Sequence, residues 1–306
     1  MQRYILKRIV IAILTLIVIS FVIFFVMRLG EADPVLIMLP PDARPEDRDL
    51  LMETFGLDKP IPVQFLYFLK SAVRGDFGRS FKYDEPALTL LLSRVPATLE
   101  LALAAIFLTS VIGLTIGIVS AVKRDSLFDR FGKMFALAGQ AIPSFWLGIM
   151  LMLLLGVMLR LFPISGRGGL DHLVLPALTL SAFNIAAITR LSRSSMIDAL
   201  KSDYVAMAHA KGVPGRAVIL IHAFKNASIP ILTMMGLLFG YLITGAVVTE
   251  TIFSWPGVGR LALEAVFARD YPVVQAFALF ASFVFVTANL VVDILYAYID
   301  PRIRYQ

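Results

Sequence analysis

The sequence has no cysteine, two tryptophans, three histidines and few charges for its size, 16% of 306 residues. Without cysteine there is no disulfide and no thiolate metal site, and this says nothing about compartment. His172, His209 and His222 fall on different predicted loops with no ligand spacing, so no metal is expected on this chain. Catalytic signatures are missing too. There is no G-x-x-x-x-G-K-[ST] phosphate loop, because the only Gly-Lys pair, Gly132-Lys133, is followed by Met134. G-x-S-x-G and H-E-x-x-H are also absent. The chain is therefore expected to be neither an enzyme nor its own source of energy.

Apolar side chains are what the chain has in excess. It is 58% hydrophobic, with a mean hydropathy of +0.82, more than a soluble core can hide. A membrane-spanning helix needs about 20 mostly apolar residues. Six stretches qualify: Ile9–Met27, Leu99–Val122, Phe135–Leu159, Leu173–Ile188, Ile229–Thr249 and Val273–Tyr298. They are continuous rather than alternating, which excludes a β-barrel and predicts an all-α integral membrane protein with six transmembrane helices. Arg3, Lys7 and Arg8 precede the first stretch. It is too long for a cleaved leader and lacks a small-residue cleavage site, so it reads as a retained anchor. The N-terminus, Lys123–Lys133, Arg190–Lys225 and the tail hold about 15 Lys/Arg, against about four on the two short opposite loops. That bias places both termini in the cytoplasm. It also accounts for the net charge of +6 without a nucleic-acid partner.

The chain divides into three parts. Residues 1–28 are the N-terminus and first helix, 29–96 an external insertion, and 97–306 a core of five spans. In the insertion, Glu46–Phe55 looks helical and Gly56-Leu57-Asp58-Lys59-Pro60 breaks it. Val63–Val73 then carries Phe65, Tyr67 and Phe68 at helical spacing, and Gly75-Asp76-Phe77-Gly78-Arg79-Ser80 reads as a turn. The insertion is either an ordered cap or an amphipathic segment lying on the membrane. Gly113 with Gly117, and Gly236 with Gly240, are spaced for close helix packing. Pro143 should kink the third span. Gln140, Asn184, Asn289 and Asp293 are polar points within spans, suited either to interhelical hydrogen bonds or to lining a pathway.

One polar segment stands out, Asp203-Tyr204-Val205-Ala206-Met207-Ala208-His209-Ala210-Lys211-Gly212. Asp203 is expected to cap a short helix and Gly212 to end it in the left-handed conformation. After Pro214 a new helix should run through Val218, Ile219 and Ile221 towards Ile229. An interfacial anchor would need large apolar residues along one face, and Ala208, His209 and Ala210 do not supply them.

This segment resembles the EAA-type coupling motif of ABC importer permeases, in the form used by the dipeptide/oligopeptide and nickel family. The likeness continues along the chain. It includes Gly56–Pro60, Gly75–Ser80, Pro96-Ala97-Thr98-Leu99-Glu100-Leu101, and His222 with Asn226-Ala227 and Pro230. It goes on through Phe253-Ser254-Trp255-Pro256-Gly257-Val258-Gly259-Arg260-Leu261, Arg269-Asp270-Tyr271-Pro272, Asn289–Asp293 and Asp300–Arg304. Ala206, Met207 and His209 depart from the usual pattern. The resemblance implies a type I importer permease of the bacterial inner membrane, with a coupling helix at 202–212. Asp203, Tyr204, Ala208, Ala210, Lys211 and Gly212 would be its ATPase-coupling residues. The implied partners are a homologous second permease, two ATP-binding subunits carrying ATP and Mg, and an extracytoplasmic substrate-binding protein. Asp76, Phe77 and Arg79 would belong to that protein's docking surface.

A secondary transporter is the alternative, and it would call for inverted repeats and paired intramembrane charges. A membrane enzyme would call for a nucleophile with its base. Neither pattern is visible. Peptides lead as cargo. Met234-Met235-Gly236 and the closing Arg302-Ile303-Arg304-Tyr305-Gln306 look similar to the glutathione-type branch, and nickel chelates and sugars stay open.

Overall fold

The computed structural model describes residues 2–29, 59–243 and 246–299. The readings made for Glu46–Phe55, Gly56-Leu57-Asp58 and Asp300–Gln306 lie outside the described residues. So does the side chain of Asp293. Among the described residues every regular element is helical. Five helices contain spans long and apolar enough to cross a membrane: α1 (Gln2–Leu29), α3 (Ala87–Val122), α6 (Leu170–Leu200), α8 (Gly215–Ile243) and α11 (Tyr271–Ile299). A sixth crossing would be the bent pair α4 (Leu127–Ala141) and α5 (Ser144–Met158). Shorter helices are α2 (Ile61–Val73), α7 (Asp203–Ala210), α9 (Val247–Ile252) and α10 (Val258–Phe267).

α6 is the axis of the bundle, packed against α3, α4, α5 and α8. Its low apolarity is the reason it suits that place. Ser181, Asn184, Thr189 and Ser192 would be costly against lipid but are buried among neighbouring helices. The glycine spacing works as expected. A side-chain carbon on Gly117 would come within 2.7 Å of Ser192 Cβ, and one on Gly113 within 3.0 Å of Ile188. Gly236 and Gly240 bring α8 onto α11 in the same way, at Val292 and Ala288. α1 leans on α11 at the edge of the bundle. Its Phe24 is buried against Phe65 and Phe68 of α2, with ring centroids 5.6 and 5.5 Å apart. The described helix of the insertion thus packs on α1, with none of its own residues fully buried.

Three sequence expectations are corrected. Pro143 does more than kink the third stretch, because α4 and α5 meet at 102°. Ile142 is extended, as the residue before proline prefers, and α5 restarts with Pro143 at its N-cap. The Ile229–Thr249 stretch is displaced along the chain: α8 starts at Gly215 and ends at Ile243, and Val247–Ile252 is a separate helix. Hydropathy alone put the start at Ile229 because Arg216, His222, Lys225 and Asn226 dilute it, whereas the helix expected after Pro214 runs through them into the span. α3 begins at Ala87, so the 96/97 boundary falls within one helix.

Candidate coupling helix and the opposite mouth

The loops α3–α4 and α6–α8 share one end of the bundle, and there α7 is seated. Alanine-rich sequence favours a helix. Ser202 occupies the N-cap in extended conformation, and its hydroxyl turns back to the carbonyl of Ala199. Asp203 is therefore the first helical residue rather than the cap, and it contributes only its charge at the positive end of the dipole. The helix stops as expected. Gly212 has φ +75°, its amide donates to His209 O at 2.9 Å, and the Val213 amide reaches Ala208 O at 3.2 Å. This paired closure needs a left-handed residue, which glycine accepts at no steric cost.

Two faces result. Val205 and Ala208, one turn apart, are buried against Ala121 of α3, Met196 and Ala199 of α6, and Val218, Ala223 and Ala227 of α8. Asp203, Tyr204, Ala206, Met207, His209, Ala210, Lys211 and Gly212 are exposed. Of the six coupling candidates, five point outward and Ala208 points into the bundle. Met207, 60% exposed, stands one turn from Tyr204 and was not among those candidates. One small cluster thus ties the short helix to three spans. Beside it, Arg193 of α6 holds Asp129 of α4 in a two-pronged ion pair that sequence reading did not single out. Its signal was there: opposite charges at the polar ends of two neighbouring apolar stretches.

At the other end of the bundle, separate signatures converge. Ser80, after the Gly75 turn, donates to Asp270 of the Arg269–Pro272 segment. Trp255 is fully buried and donates from Nε1 to Ala97 O, inside α3, at 2.8 Å. The buried Thr98 hydroxyl donates to Glu250 at 2.7 Å and accepts the Val258 amide at 2.9 Å. Glu250 in turn accepts the amide of Arg260 at 2.9 Å, capping α10 with a carboxylate. Among the docking candidates, Asp76 and Arg79 are exposed, and Arg79 pairs with Asp84 at 3.0 Å. Phe77 packs on the cluster of Leu90, Leu91 and Leu261, which anchors the turn.

The polar points within spans do not form one site. The Asn184 amide donates to Leu180 O of its own helix at 3.2 Å. Gln140 is half-buried beside the break at Pro143, and Asn289 is half-buried on α11. No three of His, Asp and Glu gather as a metal site among the described residues.

Comparison with known proteins decides the family. Residues 113–305 match the profile described as "Binding-protein-dependent transport system inner membrane component". Residues 1–102 match its N-terminal counterpart. The chain belongs to this family. The permease is 40% identical over 306 residues to the glutathione transport system permease protein GsiC of Salmonella typhimurium strain LT2, covering all of both chains. It is equally similar, over the same span, to GsiC of Escherichia coli strain K12. It is thus the membrane component of a binding-protein-dependent ABC importer, a transport subunit and not an enzyme.

Proposed function

We propose that this permease imports small peptides, glutathione or a close analogue among them, as one half of a two-permease channel. Two ATP-binding subunits, holding ATP and Mg, grip Asp203–Gly212 on the cytoplasmic side, where both termini also lie. The excess of Lys and Arg around α7 supports that orientation. A substrate-binding protein docks at the opposite mouth, over Asp76 and Arg79.

The observation that carries the reading is the two-faced seat of α7. Its inner face, Val205 and Ala208, is locked to α3, α6 and α8, while Tyr204 and Met207 offer an outer face to a partner. Closure of the ATPases on nucleotide displaces α7 as a rigid body and tilts those three spans, alternating access to the path between the permeases. Glutathione as cargo rests on likeness to relatives named for it, over their full length.

The test is reconstitution of the permease with its partner permease, ATPases and binding protein. Met207→Glu and Gly212→Pro should abolish stimulation of ATP hydrolysis by the binding protein while assembly persists. Transport that continues without any ATPase subunit would overturn the mechanism. Titration of glutathione and short peptides into the binding protein identifies the cargo.

A further inference from the structure

Above α10, at the mouth opposite α7, lies a cleft of about 230 Å³ lined by Tyr83, Arg94, Gly257, Arg260 and Glu264. Its charges are unevenly matched. Arg260 Nε is paired with Glu264 at 2.9 Å, and Glu264 also accepts the Tyr83 hydroxyl at 2.7 Å and faces Lys82 at 3.5 Å. Arg94 makes no ion pair among the described residues, and its Nε is buried without a hydrogen-bond partner. A buried donor left unpaired is unfavourable, so an acceptor from outside the chain is expected at this guanidinium. The amides of Val258 and Arg260 at the start of α10 are already engaged by Thr98 and Glu250. The guanidinium, not the helix terminus, is therefore the free element of the site.

Resting on the peptide-import reading above, we propose that Arg94 is a cargo subsite that receives the carboxylate of a small peptide as it enters from the binding protein. A planar guanidinium presents paired donors that match a carboxylate fork. The cleft, at about 230 Å³, has room for the end group of a peptide. The site is also wired to the gate. Ala97 and Thr98 lie one turn beyond Arg94 on the same face of α3, and they hold Trp255 and Glu250 beneath the cleft. A carboxylate on Arg94 thus loads the joint between α3 and α10.

The experiment uses the assembled permease–ATPase complex in lipid nanodiscs without binding protein. It is titrated with tri-alanine, tri-alanine amide and glutathione. The wild type should bind tri-alanine and glutathione about tenfold or more tightly than Arg94→Gln, with Arg94→Lys between them. Tri-alanine amide should bind the wild type and Arg94→Gln alike. Equal binding of tri-alanine by both proteins overturns the subsite. So does the same loss for the amide, which would assign Arg94 to a lipid phosphate or to packing, and so does a wild type that binds none of the three. Transport with the binding protein present separates this failure from that of the import reading. A wild type that moves peptides while Arg94→Gln shows no carboxylate-selective loss sinks the subsite alone. A wild type that moves no peptide sinks both.

Discussion

Arg193 Nε and Nη2 meet the two carboxylate oxygens of Asp129 at 2.6 and 2.9 Å, pinning α4 to α6 just above the short helix α7. Asp129 has no exposed side-chain surface, and Lys133 one turn along its helix adds a contact at 3.0 Å. Removing one member of such a pair leaves the other charge buried and poorly compensated. Arg193→Ala should therefore destabilise the protein on the order of 3 kcal/mol. Because both residues belong to one network, Arg193→Ala with Asp129→Ala should cost clearly less than the two single changes added together. Melting temperatures of the purified complex measure this. Strict additivity would show that the pair is not coupled.

Gly212 allows a cleaner dissection, because nothing lies within 4 Å of where its side chain would be. Only the backbone at φ +75° resists substitution. Gly212→Asn should keep most of the stimulated ATPase activity, since asparagine visits this conformation. Gly212→Ala should cost about 1 kcal/mol in the local closure of α7, and Gly212→Val more. The order Asn, Ala, Val in stimulated turnover is the expected result. Equal turnover in all three variants would mean that the left-handed turn does not position the helix.

Much of this was legible in the sequence. Four apolar stretches lie whole within continuous helices because length and hydropathy alone decide which segments lipid accepts, and most of Ile229–Thr249 lies in α8. Gly113, Gly117, Gly236 and Gly240 foretold the helix contacts, and Gly212 the stop of α7, since each depends on local stereochemistry. The 102° turn at Pro143 was not legible. A proline sets where a helix can break, whereas the angle depends on what α5 then packs against. Ser202 displaced Asp203 from the cap for a similar reason: both can cap, and the exit of α6 determined which one did. Arg94 and Glu250 were invisible because each takes its meaning from residues more than 150 positions away in the chain, Arg260 across the cleft and the hydrogen-bonded Thr98.

Glu264 supplies a pH signature for the mouth. Burial pushes its carboxyl up, but hydrogen bonds from Tyr83 and Arg260 and the charges of Arg260 and Lys82 outweigh burial and hold it below its ordinary value. A carboxylate depressed in the folded state stabilises it fully above the unfolded value, about 4.3, and that contribution fades as pH falls through the folded one. Tyr83→Phe removes a donor and moves Glu264 back towards the ordinary value. The variant should melt below the wild type at pH 7, and the two melting curves should converge below about pH 4. A constant offset across that range would show that Tyr83 acts by packing alone.

Gly257 and Glu250 set the sharpest steric test. A side-chain carbon at Gly257 would lie 2.2 Å from the Glu250 carboxylate, which is itself fully buried. Gly257→Ala must therefore expel the carboxylate from the amide of Arg260 and the hydroxyl of Thr98, leaving buried donors unpaired at about 1–3 kcal/mol each. Gly215→Ala, with open space around it, is the matched control and should change little. Glu250→Ala in the Gly257→Ala background relieves the clash but supplies no acceptor, so it should recover only part of the lost melting temperature. Full recovery would mean that Glu250 merely fills space, and that its bonds to α3 and α10 contribute nothing to holding the mouth together.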